Sequence, residues 1–465
     1  MKRKFVLIWM LFIILGFVGV LDRGGKAEGF ICGNYQYNVL EDGTAEITRY
    51  TGKETKVVVP SELNGHSVSA IGDSAFYLLS SIREIELPQG VEEIGEKAFA
   101  YCSSLSRVVL PDSLREIGHE AFYACTTLIN VQIPEGVYFI GNQAFSYCKS
   151  MMEIVIPDSV HIMGINPFSE CRSMKRILVS PDHPVYAEID GVLFHKQQKT
   201  LICFPKGSDI HDYVIPQGIE KIGKLSFTWC ESLKNVVIPS SVVCIEERAF
   251  SICTGLETVL FSEGLEEIGK SAFSECVALK EVDIPSGVIR IGDYAFLWCE
   301  SLEKIILPKS LETIGNYAFS ICTSLNNFVI PEGVISMGDN PFLACRMLKE
   351  IQVSEEQEIY EIREAALFNK EENKLVCYPN GRYTDCYSVP EGTESIGNAA
   401  FRDCSFLSTI SIPASVVEIA ENAFSGCELS RVIVSRESYA ADWCEENRVH
   451  YTYPDANDWL DWLLN

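Results

Sequence analysis

The sequence predicts an elongated solenoid of the α/β type: short parallel strands stacked turn upon turn and returned by short helical or irregular segments. Three observations predict it. A phenylalanine in the setting Ala-Phe, or a variant of it, recurs at 76, 99, 122, 145 and 168, at 227, 250, 273, 296, 319 and 342, and at 401 and 424. The step is 23 within each block and 59 across each of the two gaps, and the unit reads I-G-x-x-A-F-x-x-C-x-x-L-x-x-V-x-I-P-x-x-V-x-x. A longer period lies above the first. Asn166-Pro167-Phe168 returns as Asn340-Pro341-Phe342, Leu193-Phe194 as Leu367-Phe368 and Cys203 as Cys377, each 174 residues on, so the array reads as an internal duplication.

From the N-terminus, Lys2, Arg3 and Lys4 precede an apolar run from Phe5 to Leu21, the pattern of a secretory signal over residues 1–27. Gly25 and Ala27 suit cleavage after Ala27, while the length of the run leaves an uncleaved anchor open. Residues 28–65 read as an N-terminal capping region, because the stretch from Tyr37 alternates around Asp42-Gly43, a hairpin signal. Regular repeats occupy 66–171 and 227–345, and the last ones 401–436. Residues 172–226 and 346–400 are interrupted repeats, each with a hairpin; in the first, Gly191–Phe194 and the stretch from Thr200 flank a polar loop. Residues 437–465 form a C-terminal cap and tail. Tyr439, Trp443 and Asn447 stand at helical spacing, a strand follows from Val449, and Trp459, Trp462 and Leu463 share a helical face that packs on the cap or docks a partner.

Within one unit, Leu105, Val108 and Leu110 are expected to face inward and Arg107 and Val109 outward. Pro111 ends the strand because it offers no ladder donor. Leu114 and Ile117 continue the core, Gly118 permits a turn, and Ala121-Phe122 form the return. One such turn cannot bury its own apolar face. Stacked about 4.8 Å apart, successive turns share one long core with the phenylalanines in a column at its centre.

The 23-residue unit, the proline that closes the strand and the A-F-x-x-C step resemble the BspA-like bacterial leucine-rich repeats, over nearly all of the span from about Gly43 to Tyr439. The resemblance implies a right-handed, curved leucine-rich-repeat solenoid with strands on the concave side and helical or irregular turns on the convex side. It further implies export to the bacterial surface, an association with adhesion to host or neighbouring-cell proteins, and no catalytic residues.

Twelve of the thirteen turns carry a cysteine three residues after the phenylalanine, and the first carries Leu79 instead. Leucine neither cross-links nor binds metal, so the slot reads as buried and apolar, with free thiols acting as small hydrophobes. A disulfide framework is the competing reading for eighteen cysteines in an exported chain, and Cys377 and Cys386 stand close enough in sequence to pair. No Cys-x-x-Cys occurs, the seven histidines are scattered, and no metal or other cofactor is expected.

The formal net charge of −26 becomes about −30 once residues 1–27 are set aside, a surface that repels phosphate backbones and excludes nucleic acid as a partner. No G-x-S-x-G, P-loop, dinucleotide glycine run or calcium loop is present, and carboxylate pairs such as Glu92-Glu93 fall at solvated positions. The chain is therefore read as no enzyme but a secreted or cell-surface protein-binding module, an adhesin in its sharpest form, with a passive spacer of the cell envelope as the alternative. No membrane contact is expected beyond the N-terminal signal or anchor. The candidate face consists of the outward strand residues Arg107 with Val109, Asn130 with Gln132, Asn235 with Val237, Lys304 with Ile306 and Asn327 with Val329. Neither the partner protein's identity nor the oligomeric state is read from the sequence.

Overall fold

The computed structural model describes residues 29–454, so the leader expected over 1–27 and the tail residues Trp459, Trp462 and Leu463 lie outside the described part. A repeat turn carries two strands. The longer falls in L-x-x-V-x-I-P, as in Glu84–Glu86, Arg107–Val109, Glu153–Ile156 and Asn235–Ile238. The shorter has two residues just before the glycine, as in Glu93–Ile94, Glu116–Ile117 and Phe139–Ile140. Both stack in parallel ladders whose partners lie one repeat apart: Glu84 opposite Arg107, Ile85 opposite Val108, Glu116 opposite Phe139. With no offset between turns, each sequence position becomes a column running along the solenoid.

The third side differs from the expected α/β pattern. Among the described residues the one helix is Tyr439–Glu446 in the C-terminal cap, and the return segments are strings of turns. The hydrogen bonds explain why. Lys97, Phe99 and Tyr101 donate their N–H groups to His119, Ala121 and Tyr123 of the next turn at 2.9, 2.8 and 2.7 Å. The alternate residues Ala98, Ala100 and Cys102 donate back to the carbonyl three residues earlier. An α-helix directs its N–H groups along its own axis, so they could not alternate between the segment and the neighbouring turn. The alternation demands left-handed backbone at Lys97 (φ 55°) and Tyr101 (φ 62°), and it recurs at Gln143 and Tyr147 and at Arg248 and Ile252. Each such non-glycine residue costs roughly 1–2 kcal/mol, which the inter-turn bonds offset.

The interior is a column of aromatic rings. Phe99 stacks on Phe122 at 5.1 Å and Phe122 on Phe145 at 5.2 Å, with nearly parallel planes, and all three are buried. Leu105, Leu114 and Ile117 are fully enclosed, and Val108 nearly so, while Leu110 is half-buried against the core. Gly118 is present for closeness and not for a special backbone angle: a Cβ there would stand 2.7 Å from the carbonyl carbon of Gly95 in the preceding turn.

Each interruption inserts a meander. Tyr186–Ile189, Val192–His195 and Thr200–Cys203 pair antiparallel, and the last then pairs parallel with Lys221–Ile222 to resume the short ladder. Tyr360–Arg363, Ala366–Asn369 and Lys374–Cys377 repeat the arrangement and rejoin at Ser395–Ile396. Buried Asn166 and Asn340 bridge the gaps, each donating Nδ2 at 2.7 Å to a carbonyl 59 residues on, that of Leu225 and that of Ala399. The core is thereby divided into three interlocking clusters that meet at the insertions.

Both ends are covered. Phe30–Cys32, Tyr35–Val39 and Ala45–Tyr50 form an antiparallel sheet, and the ring of Tyr50 lies 5.2 Å from that of Phe76, on the first phenylalanine of the column. At the far end Ser438 caps the helix by accepting from the Ala441 N–H, Trp443 sits 5.5 Å from Phe424, and Tyr451–Thr452 adds a parallel strand to Arg431–Val434.

Candidate binding faces and interior polar sites

Strand alternation aims the candidate residues outward. Arg107, Asn130, Gln132, Asn235, Lys304 and Asn327 are exposed, as are Ile306 and Val329, while Val109 and Val237 are half-buried. Asn130 and Gln132 lie in a turn without a longer strand, so the ladder is interrupted between Arg107–Val109 and Glu153–Ile156. Two columns run side by side. In the polar one, charges pair from turn to turn: Glu84 lies between Lys56 (3.5 Å) and Arg107 (3.9 Å), and Arg176 meets Glu153 at 2.7 Å. Exposed pairs of this kind contribute at most about 1 kcal/mol each.

The neighbouring column holds more exposed apolar residues than the sequence selection conveyed, in short runs separated by exposed Glu86, Gln132, Asp283 and Gln352. Val58, Val155, Val214 and Leu260 belong to it and are each more than half exposed. The register that nominated Val109 and Val237 would have found them, since all stand at the same position of the repeat.

The return face carries an aromatic strip that sequence reading missed. Tyr77, Tyr101, Tyr123 and Tyr147 follow one another with ring centroids 5.7, 5.4 and 5.2 Å apart. Burial, and then its neighbour Tyr77, raises the Tyr101 phenol above its ordinary range. The same positions of the second block hold Ser251, Glu275, Leu297 and Ile321, so the backbone does not require aromatics there. The signal lay in the two columns after each core phenylalanine.

All eighteen cysteines are free thiols, and Cys377 and Cys386 do not pair. The cysteine slot proves more than apolar. In ten turns the thiol donates to the carbonyl of the phenylalanine 26 residues earlier, from Cys102 to Phe76 at 3.0 Å through to Cys427 to Phe401. Burial pushes the Cys102 thiol up to about 12 and the thiols of Cys125 and Cys148 well above their ordinary value. Among the described residues no three His, Cys, Asp or Glu side chains are grouped to hold a metal.

Two polar groups sit inside the first insertion. Lys206 Nζ meets Glu170 Oε1 at 3.1 Å with both side chains 2 % exposed. Arg172 approaches the other carboxylate oxygen at 3.6 Å and lies over the Trp229 ring. Burial raises the Glu170 carboxyl, opposed by the charge of Lys206. The second insertion holds Ala344 and Asn380 at these positions, and the Asn380 amide takes over: Oδ1 accepts the Ala344 N–H at 2.9 Å and Nδ2 donates to the Arg402 carbonyl at 2.8 Å. Buried His183 places Nε2 3.1 Å from the Pro157 carbonyl and accepts the Val185 and Tyr186 N–H groups at Nδ1. Gln357 makes the same three bonds in the second insertion, to Pro331, Ile359 and Tyr360.

Where each insertion interrupts the short ladder, a cleft opens. The first, about 460 Å³, lies between Ile162–Met163 and Thr200–Cys203. At matching positions of the second insertion a cavity of about 170 Å³ adjoins one of about 520 Å³, and the two share Asp339, Glu372, Lys374, Gly397 and Asn398.

A profile described as "BspA type Leucine rich repeat region" matches residues 60–194, 202–296, 289–384 and 377–442. Curated protein sequences give no match. A crystal structure of a leucine rich cell surface protein from Faecalibacterium prausnitzii is 28% identical, covers 71% of this chain and 96% of its own, and superposes with a TM-score of 0.52. A leucine-rich repeat protein from Bacteroides ovatus is 25% identical over 91% of this chain and 99% of its own, with a TM-score of 0.47. Among the described residues no helix is long and apolar enough to cross a membrane. The repeat unit, its two ladders and the profile match agree: the chain belongs to the BspA-type leucine-rich repeat family.

Proposed function

We propose that the chain is a non-catalytic protein-binding module that acts outside the cell or at its surface, and that it engages its partner through the longer-strand face, on the concave side of a right-handed, curved coil. The observation that carries this reading is the apolar column. Val155 and Val214 are 57% and 65% exposed, with Leu260, Ile306 and Val329 further along, next to a column whose charges already pair with each other. Exposed apolar surface gathered in a patch marks interaction sites, and stacking brings Val214, Val237 and Leu260 together in one run and Ile306 and Val329 in another, with exposed Asp283 between them. The basic-then-apolar start of the chain supports export, and the similar Faecalibacterium prausnitzii protein is described as a cell surface protein. Adhesion to host or neighbouring-cell proteins is the sharpest form of this reading.

The test compares retention of the full chain on immobilised extracellular-matrix extract with that of Val237→Glu, Ile306→Glu and Val329→Glu. Three charges on one outward column should abolish retention without altering the thermal midpoint, because the side chains point away from the core. Retention that survives removes the strand face from the proposal, and no retention by the parent chain favours the passive envelope spacer.

A further inference from the structure

The two insertions are copies of one feature, yet their clefts differ in a way that one column of side chains explains. The residue after the repeat glycine builds a chain of hydrogen bonds along the solenoid. In the second block Asp293 Oδ1 accepts the Asn316 N–H at 2.7 Å, Asn316 Oδ1 accepts the Asp339 N–H at 2.8 Å, and Asp339 Oδ2 accepts from Asn398 Nδ2 at 3.0 Å. That last bond spans 59 residues and crosses the cleft; Asn398 Nδ2 also reaches the Tyr317 hydroxyl at 3.2 Å. Asp339 and Asn398 line both cavities of the second insertion, so the latch divides that cleft in two.

The first block starts in the same way and stops short. His119 Nδ1 accepts the Asn142 N–H at 2.8 Å, and Asn142 Oδ1 accepts the Ile165 N–H at 2.8 Å. Ile165 has no acceptor to pass the chain on. Lys224 stands where Asn398 does and turns elsewhere: its N–H bonds Glu246 Oε2 at 3.1 Å and its ammonium faces Glu247 at 3.6 Å. The cleft of about 460 Å³ is the unlatched copy.

Its lining offers complementary hydrogen-bonding groups without a free cation. His161 Nδ1 lies 2.6 Å from the Ser159 carbonyl, an acceptor only, so Nδ1 carries the proton and Nε2 is left as an acceptor. His195 Nδ1 accepts the Gln198 N–H at 3.2 Å, so its Nε2 carries the proton and is a donor. The exposed Gln198 amide adds one more donor and acceptor. Ile162, Ile165 and Ile202 supply an aliphatic floor, with Ile162 and Ile165 55% and 40% exposed. The charges at its rim, Lys224 and Glu246, are bonded within the protein as described.

We infer that the open cleft of the first insertion binds a neutral saccharide. A pyranose ring presents hydroxyls that both donate and accept, together with a C–H face that packs on aliphatic side chains. A concave site with a few placed polar groups over an apolar floor fits that chemistry. An anionic ligand would find no free cation, since the Lys224 ammonium faces Glu247, and would meet the carboxylate of Glu246. The inference concerns a different surface from the strand face and stands or falls separately from it.

Saturation-transfer NMR with lactose, cellobiose, maltose and N,N′-diacetylchitobiose tests it on the full chain. At least one disaccharide should receive saturation. The latch variant Ile165→Asp with Lys224→Asn copies the second block and should fold with an unchanged thermal midpoint while its signal falls to that of the sugar alone. His195→Ala should weaken the same signal. Transfer to none of the four sugars overturns the inference, and so does transfer that persists in the latch variant. If the latch variant fails to fold, His195→Ala decides alone: an undiminished signal overturns the inference.

Discussion

The sharpest energetic prediction comes from the ion pair that one block has and its copy lacks. Glu170 and Lys206 meet at 3.1 Å, each with 2% of its side chain exposed, so solvent screening is slight. Removing one partner of a buried pair leaves the other charge uncompensated and costs about 3–5 kcal/mol. Lys206→Met keeps the volume and leaves Glu170 only the exposed Arg172 at 3.6 Å, so it should destabilise the first insertion by an amount toward the lower end of that range. The double variant Glu170→Ala with Lys206→Asn reproduces the second insertion, where the Asn380 amide satisfies the Ala344 N–H and the Arg402 carbonyl. In the first block the matching acceptor is the carbonyl of Thr228, so the double variant should lie within about 1 kcal/mol of the parent, as well-matched replacements of buried pairs do. A repeat array need not unfold in one step, so the measurement should be local. Hydrogen exchange at the amides of Phe204, Gly207 and Trp229, bonded to Ser226, Met174 and Ser251, reads opening at this place. At about 1.4 kcal/mol per tenfold, exchange in Lys206→Met should quicken by about two powers of ten, against less than one in the double variant. Equal acceleration in both would refute the reasoning, because it would mean that the charges stabilise the site beyond what an amide supplies.

Three further outcomes follow from the same geometry. Burial lowers the His183 pKa, so its contribution to stability is complete above the ordinary histidine value of about 6.5 and is lost as the pH falls below it; exchange protection in residues 183–203, corrected for the pH dependence of intrinsic exchange, should fall on acidification, and His183→Gln, which copies Gln357, should shrink that fall to the share of His195, whose pKa burial also lowers. Phe122→Ala removes a ring stacked on both faces and should cost about 3–5 kcal/mol, read as lost exchange protection in the turns of Phe99 and Phe145 before distant ones; uniform loss along the array would contradict a core shared only between neighbours. Thiol labelling of the native chain followed by mass analysis should modify exposed Cys386 first, then half-buried Cys32, Cys244 and Cys427, and leave Cys125, Cys148 and Cys276 unlabelled until denaturant is added.

The solenoid was legible because one position repeated thirteen times leaves one arrangement that buries it, and the inward and outward assignments of Leu105, Val108, Arg107 and Val109 needed only the strand period. The return segment was not legible. Its left-handed residues are Lys97, Tyr101, Gln143 and Tyr147, types that carry no such preference, and their backbone is imposed by bonds to the next turn. Gly118 looked like a turn residue and is a contact residue. The cysteine column was read correctly as buried but for an incomplete reason. A slot that needed only apolar volume would admit leucine anywhere, whereas Leu79 occurs once, in the first turn. That turn rests on Tyr50 of the strand Ala45–Tyr50, so no earlier Ala-Phe segment presents a carbonyl to it. Elsewhere a small side chain with a weak donor is wanted, and cysteine meets both demands.

The duplication separates what the backbone requires from what each block does with it. At 183 and 357 a ring and an amide make identical bonds, which marks the position as structural. At 170 and 206 the chemistry changes but every group stays satisfied, again a structural solution. At 77, 101, 123 and 147 the aromatic strip has no counterpart at all in Ser251, Glu275, Leu297 and Ile321, and at 165 and 224 a latch is missing that its copy keeps. Nothing in the packing of the first block calls for these last two differences, since the same fold closes without the one and with the other. They leave an aromatic surface and an open polar cleft on the same half of the molecule, the half in which ligand recognition beyond the strand face should be sought. Exchanging residues 66–226 for a second copy of 240–400 tests this directly: the hybrid should fold, retain any partner held by the strand face of the second block, and lose saccharide binding. A hybrid that still bound sugar would place the site outside the first block.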